Sequence, residues 1–235
     1  RRHLLMQTIS NPPTRQKNTR LALIISFGVL LLATAGMLLL IFMRLTDTFI
    51  GDAPSFIEVA PGGISTLNPP RPLDDFTLTA HTGDPLSLSD LRGKTVVMSF
   101  GYTYCPDVCP LTLMEYRRVN EMLGEDAEHV QFMFISVDGE RDTAERLNLY
   151  MGTRNVDEFA VALTGTEGEL RRMGVDYGLY FEKQFNTGSQ AFYLVDHTAS
   201  TYIIDPQGRL TNIIGFGTDT QTVYETILAQ VENLG

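Results

Sequence analysis

An uninterrupted apolar run at residues 21–43 is the feature that most constrains the architecture of this chain. The run has 23 residues and contains no charged side chain. As an α-helix it would be roughly 34 Å long, which is enough to cross a hydrocarbon core of about 30 Å. It exceeds the core of about 7–15 residues found in a cleavable signal peptide, and no polar face marks it as a buried core helix. We therefore predict one uncleaved transmembrane anchor over residues 21–43.

Charge is distributed unevenly on the two sides of this run. Residues 1–44 contain six basic and no acidic side chains, whereas residues 45–235 contain 12 basic and all 28 acidic ones. Because basic segments stay on the cytoplasmic side of a membrane helix, we predict a cytoplasmic basic tail at residues 1–20. The main domain would then lie on the periplasmic side of a bacterial inner membrane or, as the alternative, in the mitochondrial intermembrane space. Its formal charge of −16 argues against nucleic acid as a partner. This charge suits cationic partners or simply keeps the domain soluble.

Two regions follow the anchor. Residues 44–72 are rich in proline and glycine, end in the run Asn68-Pro69-Pro70-Arg71-Pro72, and show no sustained periodicity, so we predict a tether. Residues 73–235 have the pattern of one globular domain.

Alternating strand and helix signals predict an α/β domain with a mixed sheet and flanking helices. Nearly continuous apolar segments at residues 95–100 and 130–137 predict strands that are buried on both faces. The other predicted elements are a strand at 76–79, a helix from about 110 to 124, a helix opened by a capping box at 142–145, a strand at 159–163, a helix capped at 166–169, a hairpin at 201–215 and a C-terminal helix.

The only two cysteines, Cys105 and Cys109, lie in the segment GYTYCPDVCP, directly after the first buried strand. Because Pro110 follows, Cys109 is predicted to be the N-cap of the next helix. Both sulfurs would then lie near the positive end of the helix dipole, which favours the thiolate that attacks disulfides and binds metals. A disulfide closing so short a loop would stabilise the fold by only about 2 kcal/mol. A chemical role is therefore favoured over a structural one.

A third metal ligand would have to come from one of four histidines. His3 is predicted to lie across the membrane from the cysteines, and His81 and His129 are predicted to be exposed surface residues. His197, in the segment LVDHT, ends an apolar strand just before the hairpin. Thiolates select soft ions such as Cu(I), and imidazole binds copper and zinc. Position alone leaves open whether His197 is a ligand.

Three segments together, GYTYCPDVCP, FISVDGERDT and LVDHT, resemble the Sco (SenC) copper-assembly proteins of cytochrome c oxidase. The likeness extends over about residues 68–234, and the anchor with its short basic tail is also typical of that family. The resemblance implies a thioredoxin-like fold and a copper site made by Cys105, Cys109 and His197. It also implies that the site binds Cu(I) and Cu(II) and serves the CuA centre of oxidase subunit II. Gly139 stands where the family usually has proline, which affects a turn and no ligand.

A thioredoxin-like fold can also support thiol–disulfide exchange. Such oxidoreductases usually carry C-x2-C with a facing cis-proline, but here the spacing is one residue longer and no proline occurs between Pro110 and Pro206. We therefore predict a copper metallochaperone, with a reductant of the CuA cysteines as the alternative. A peroxidase is disfavoured because there is no isolated cysteine. The expected partners are oxidase subunit II, or its assembly intermediates, and a copper-donor protein.

Two carboxylates flank the expected ligands. Asp107, between the cysteines, would either add negative charge beside the metal or cap the helix and face solvent. Asp196 would either orient His197, as ligating histidines require, or cap the backbone. Tyr102 and Tyr104 are predicted to pack around the site and exclude water rather than to bind metal.

Overall fold

The computed structural model of the chain describes residues 25–28, 30–42, 61–185 and 193–232. The chain divides into two compact units, Arg1–Ser55 and Phe56–Gly235. In the first unit, helix α1 (Ile25–Phe42) has exposed side chains and is long and apolar enough to cross a membrane. It coincides with the predicted anchor, whereas the predicted basic tail lies outside the described residues.

The second unit is built on an eight-stranded mixed sheet with the strand order β1-β10-β9-β4-β5-β6-β2-β3, accompanied by a separate two-stranded sheet of β7 and β8. Among the described strands, the neighbours β4–β5 and β5–β6 are parallel and the other pairs are antiparallel. The strands are β1 (Ile64–Pro72), β2 (Thr77–Ala80), β3 (Pro85–Ser87), β4 (Thr95–Gly101), β5 (Val130–Ser136), β6 (Ala160–Thr164), β7 (Phe181–Phe185), β8 (Tyr193–His197), β9 (Thr201–Ile204) and β10 (Arg209–Ile214).

Four helices cover this sheet: α2 (Val108–Leu123), α3 (Ala144–Thr153), α4 (Glu167–Gly174) and α5 (Thr220–Glu232). Helix α2 packs against α5, and α3 packs against β6. Every residue of β4 is buried, because strands at the centre of such a sheet are covered on both faces. The predicted α/β domain with a mixed sheet and flanking helices is therefore confirmed.

The structure corrects three local predictions. Ile64–Pro72, which the proline-rich pattern assigned to the tether, forms β1 at one edge of the sheet, where strands tolerate proline. Asp142 is buried and does not cap α3; Thr143 does, with its hydroxyl accepting a bond from the backbone N–H of Arg146. His81, which was predicted to be exposed, is buried. Its Nδ1 accepts a hydrogen bond from the backbone N–H of Ala162 in β6.

Candidate metal centre

The cysteine loop lies between the carboxyl end of β4 and the start of α2. Helix α2 begins at Val108 with Asp107 in the N-cap position, so the prediction that Cys109 is the N-cap was wrong by two residues. Pro110 is then the third residue of the helix. Its missing N–H costs nothing there, because N–H groups of the first turn have no partner within the helix.

Among the described residues, one group of Cys and His side chains could hold a metal ion: Cys105, Cys109 and His197, whose ligand atoms all lie within 4.8 Å of one another. The Sγ of Cys109 is 3.7 Å from the Nε2 of His197. Both cysteines are free thiols; Cys109 is buried, and Cys105 and His197 are half-buried. Cys109 and His197 are 88 residues apart in the sequence. They nevertheless lie together with Cys105 at one partly exposed site.

The spacing of these atoms fits a first-row metal. Metal–sulfur and metal–nitrogen bonds of about 2.3 and 2.0 Å place the ligand atoms of a trigonal site about 3.7–4.0 Å apart. The thiol–imidazole separation of 3.7 Å already has this value. Two thiolates and one imidazole are soft and intermediate ligands of the kind that copper prefers. The chemistry of these three side chains therefore fits a single copper ion, and their ligand atoms already lie within 4.8 Å of one another.

The imidazole is held in the orientation that ligation requires. The Nδ1–H of His197 donates to the carbonyl oxygen of Thr198 over 2.9 Å, which leaves the lone pair of Nε2 facing Cys109. The buried ring of Tyr102 meets the imidazole edge to face at 5.8 Å between centroids and shields it from water. Tyr102 thus has the packing role that the sequence predicts.

Of the alternatives left open for the two flanking carboxylates, the structure has solvent exposure for Asp107 and no contact of Asp196 with His197 among the described hydrogen bonds. Asp196 is exposed, because neighbouring residues of a strand face opposite sides of the sheet and His197 faces the cysteines. The carbonyl of Thr198 takes the orienting role considered for Asp196. Asp107 is exposed at the N-cap position, and its side chain makes no capping hydrogen bond.

The two thiols have opposite electrostatic surroundings. A hydrogen bond from the thiol of Cys109, the adjacent imidazole of His197, and the backbone N–H groups of Cys109 and Asp107 lower the pKa of Cys105 to about 3. The neighbouring Cys105 and burial raise the pKa of Cys109. Without metal, the pair therefore holds one thiolate on Cys105 and one proton on Cys109.

This charge distribution predicts an unusual reactivity for Cys105. In the reduced, metal-free chain, its alkylation by iodoacetamide should proceed at a nearly constant rate between about pH 5 and 8, because a pKa of about 3 keeps it ionised throughout. An ordinary thiol, with a pKa near 8.5, would react roughly tenfold faster with each pH unit. Mass spectrometry of the alkylated chain measures both sites. A tenfold rise per pH unit at Cys105, or faster labelling of the buried Cys109, would contradict this prediction.

The buried carboxylate of Asp142 holds the start of the cysteine loop by hydrogen bonds. Asp142 accepts hydrogen bonds from the backbone N–H of Thr103 at 2.8 Å, from the Thr103 hydroxyl at 2.6 Å and from the Ser136 hydroxyl at 2.6 Å. Burial raises the pKa of this carboxyl group. The contact ties the loop to the end of β5. Sequence reasoning missed this role because the motif Asp-Thr-Ala-Glu has the form of a capping box.

An α/β domain of this topology, with one cysteine on the loop after a central strand, a second in the first turn of the next helix and a histidine facing them, is a thioredoxin-like domain with a Cys-Cys-His group. The SCO1/SenC family model matches residues 66–232, and the chain belongs to that family. The chain is similar to SCO2 of Saccharomyces cerevisiae mitochondria, with 33% identity over 159 residues. That match covers 67% of this chain and 52% of the yeast protein, so the chain spans about half the length of this relative.

Two solved structures share the fold of the second unit. ScoI of Bradyrhizobium japonicum, solved with copper bound, has a TM-score of 0.60 and 32% identity, covering 68% of this chain and 99% of that one. Apo Sco1 of Thermus thermophilus has a TM-score of 0.62 and 34% identity, covering 74% and 98%. Relatives of this chain therefore carry copper on the same fold, and this chain has a Cys-Cys-His group that could bind it.

Proposed function

We propose that the protein is a copper metallochaperone that binds one copper ion through Cys105, Cys109 and His197. The convergence of these three ligand atoms within 4.8 Å is the observation that carries the proposal. The copper-bound relative from B. japonicum, which has the same fold, supports it. The thiolate pair accommodates Cu(I), and the imidazole adds the nitrogen ligand that Cu(II) prefers.

The destination that we propose for this copper is the CuA site of cytochrome c oxidase, on subunit II or on an assembly intermediate. The half-buried positions of Cys105 and His197 support such a transfer, because an acceptor's ligands can approach the ion from the open side. Cys109 is buried and would release the ion last. A separate donor protein would load the site by the reverse sequence of ligand exchanges.

The location proposed for this work is the outer face of the membrane that α1 crosses. The apolar helix and the excess of basic residues before it support a cytoplasmic N-terminus and a periplasmic domain in a bacterium. Anchoring would keep the copper site close to an oxidase in the same membrane. Deleting residues 1–44 should therefore reduce the amount of assembled oxidase, measured by its CuA absorption in membranes. Full assembly with the released domain would argue against this location.

A second candidate function is reduction of the CuA-site cysteines before the metal is inserted. It is favoured by the lowered pKa of Cys105, which makes that sulfur an attacking thiolate beside a protonated second thiol. Cys105 would attack the target disulfide and release one target thiolate. Cys109 would then give up its proton and resolve the mixed disulfide. The products are a Cys105–Cys109 disulfide and a target dithiol, so the two electrons balance.

The copper proposal is tested by anaerobic titration of the full chain in detergent with Cu(I) held by a competing chelator. We expect one ion per chain for the wild type and at least about 100-fold weaker binding for Cys105→Ser or Cys109→Ser. Unchanged binding in these variants would exclude the thiolate site. Mixing the reduced chain with an oxidised CuA-domain fragment, followed by thiol counting, tests the reductase alternative independently of copper.

A further inference from the structure

The strand that carries His197 is not part of the main sheet. Among the described strands, β8 is hydrogen-bonded only to β7, in the two-stranded sheet, whereas the cysteine loop extends from β4 at the centre of the eight-stranded sheet. No backbone ladder between described strands therefore sets the distance from the imidazole to the two sulfurs. The three-residue link from β8 to β9, which pairs with β4, brings His197 to this end of the main sheet. Side-chain contacts between the β7–β8 pair and the cysteine loop then fix the imidazole against the sulfurs.

Arg141, in the loop between β5 and α3, lies where these two parts meet. On the β8 side, its guanidinium carbon is 3.6 Å from the centre of the Tyr193 ring, and its Nη1 donates to the Tyr193 carbonyl oxygen at 3.0 Å. On the side of the cysteine loop, the same guanidinium carbon lies 4.7 Å from the centre of the Tyr104 ring and 5.9 Å from the centre of the Tyr102 ring. Tyr104 precedes Cys105 directly, and Tyr102 contacts the imidazole of His197.

A buried carboxylate fixes the position of this guanidinium. Asp138 is 1% exposed; its Oδ2 accepts from the Nε of Arg141, and its Oδ1 accepts from the Tyr193 hydroxyl at 2.8 Å. One carboxylate oxygen thus holds Arg141 and the other holds Tyr193, at the junction between the β7–β8 pair and the cysteine loop. The planar guanidinium can stack on a ring and donate in its own plane at the same time, which an ammonium group cannot do.

We propose that Arg141 is a positioning residue that sets the separation between His197 and the two thiolates, and thereby the affinity of the site for Cu(II). This inference rests on the proposed copper site. Cu(I) is satisfied by the two thiolates, which lie four residues apart at the start of α2, whereas Cu(II) depends on the imidazole from β8. Weaker contacts between β8 and the cysteine loop should therefore weaken Cu(II) binding and leave Cu(I) binding nearly unchanged.

The test compares Cu(I) and Cu(II) affinities of the full chain in detergent, with the electron paramagnetic resonance spectrum of the Cu(II) form as a second readout. Arg141→Gln and Arg141→Lys should each lower the Cu(II) affinity about 10–100-fold, the usual effect of removing a group that orients a ligand. Both should keep the Cu(I) affinity within about threefold. Arg146→Gln is the matched control, since Arg146 also lies over the Tyr104 ring, at 4.8 Å, but has no described contact with β8. It should leave both affinities within about threefold.

Removing Arg141 leaves the buried Asp138 carboxylate without its cation, so Arg141→Gln could fail to fold. Tyr193→Leu keeps the ion pair and removes the ring on β8, and it should give the same selective loss of Cu(II) affinity. A double-mutant cycle with His197→Ala completes the design. In the His197→Ala background, Arg141→Lys should change the Cu(II) affinity by less than about twofold, because the ligand that it positions is absent.

The possible outcomes separate this inference from the proposed function. If the wild type binds no copper, the copper site itself is refuted. If His197→Ala weakens Cu(II) binding but Arg141→Lys and Tyr193→Leu leave it within about threefold, only the positioning role is refuted. Equal losses for Cu(I) and Cu(II), or a loss by Arg141→Lys that persists without His197, would also overturn it, because either result indicates general destabilisation.

Discussion

Replacing His197 by alanine should abolish the native Cu(II) complex while leaving a weakened Cu(I) complex. Its Nε2 lies 3.7 Å from the Sγ of Cys109, and Nδ1 is already bonded to a carbonyl, so Nε2 is the ring nitrogen that faces the thiols. We expect a fall of at least about 100-fold in Cu(II) affinity, more than the loss of an orienting group causes. The thiolate-to-copper absorption of the Cu(II) form should disappear or shift. Cu(I) affinity should fall by about tenfold, since both thiolates remain.

His129→Ala provides the matched control for this measurement. His129 is half-exposed, contacts Glu128, and directly precedes β5. The metal centre lies beyond the opposite end of the parallel strands, roughly 20 Å away along a seven-residue strand. The control variant should keep both copper affinities and the spectrum. If His197→Ala matches His129→Ala in both oxidation states, the Cys2His centre is wrong and only a dithiolate site remains tenable.

Replacing Gly101 by alanine should damage the same site by steric means alone. A Cβ atom at this position would lie 2.4 Å from a ring carbon of Phe134 and 2.7 Å from the Sγ of Cys109. Phe134 is fully buried and cannot move aside, so the sulfur and the loop must shift. Forcing one extra carbon into a packed core costs about 1–3 kcal/mol. We expect a loss of this size in the free energy of unfolding of the metal-free chain, together with weaker binding of both Cu(I) and Cu(II).

Gly152→Ala is the control for the backbone effect of the substitution. A Cβ on Gly152, within α3, would meet only a carboxylate oxygen of Asp157 at 3.8 Å. Alanine is favoured over glycine inside a helix by about 0.5–1 kcal/mol. This variant should therefore be as stable as the wild type or more so, with unchanged copper binding. Chemical denaturation and copper titration of both variants decide the point, and a Gly101→Ala chain as stable as Gly152→Ala would refute the steric account.

Local sequence patterns were sufficient for much of the central sheet and for the cap of α4. The apolar segments at 95–100 and 130–137 coincide with β4 and β5, whose burial on both faces requires this composition. The capping box at Thr166–Glu169 and the hairpin of β9 and β10 also formed where their turn and cap residues indicate. The meeting of His197 with the cysteines was expected from resemblance to a family. Spacing alone could not give it, since tertiary packing brings Cys109 and His197 together across 88 positions.

Interactions that depend on tertiary packing escaped prediction. The strand β7 reads FEKQF, a mixed pattern that does not by itself predict a strand, and it forms by antiparallel pairing with β8, the next strand along the chain. Asp142 and Arg141 look like ordinary polar residues of a loop, and their roles become visible only when Thr103 and Tyr193 are placed beside them. The prolines of β1 suggested a tether because their effect on an edge strand differs from their effect elsewhere.

Proline at both borders of the eight-stranded sheet has a consequence for how other proteins can engage this domain. β1 contains Pro69, Pro70 and Pro72, and the three-residue β3 begins at Pro85. Because proline lacks a backbone donor, these borders are poor templates for an added strand from another chain. Self-association through edge-to-edge pairing is disfavoured, even at high local concentration on a membrane. At these two borders, recognition through side chains and loops is therefore favoured over β-augmentation.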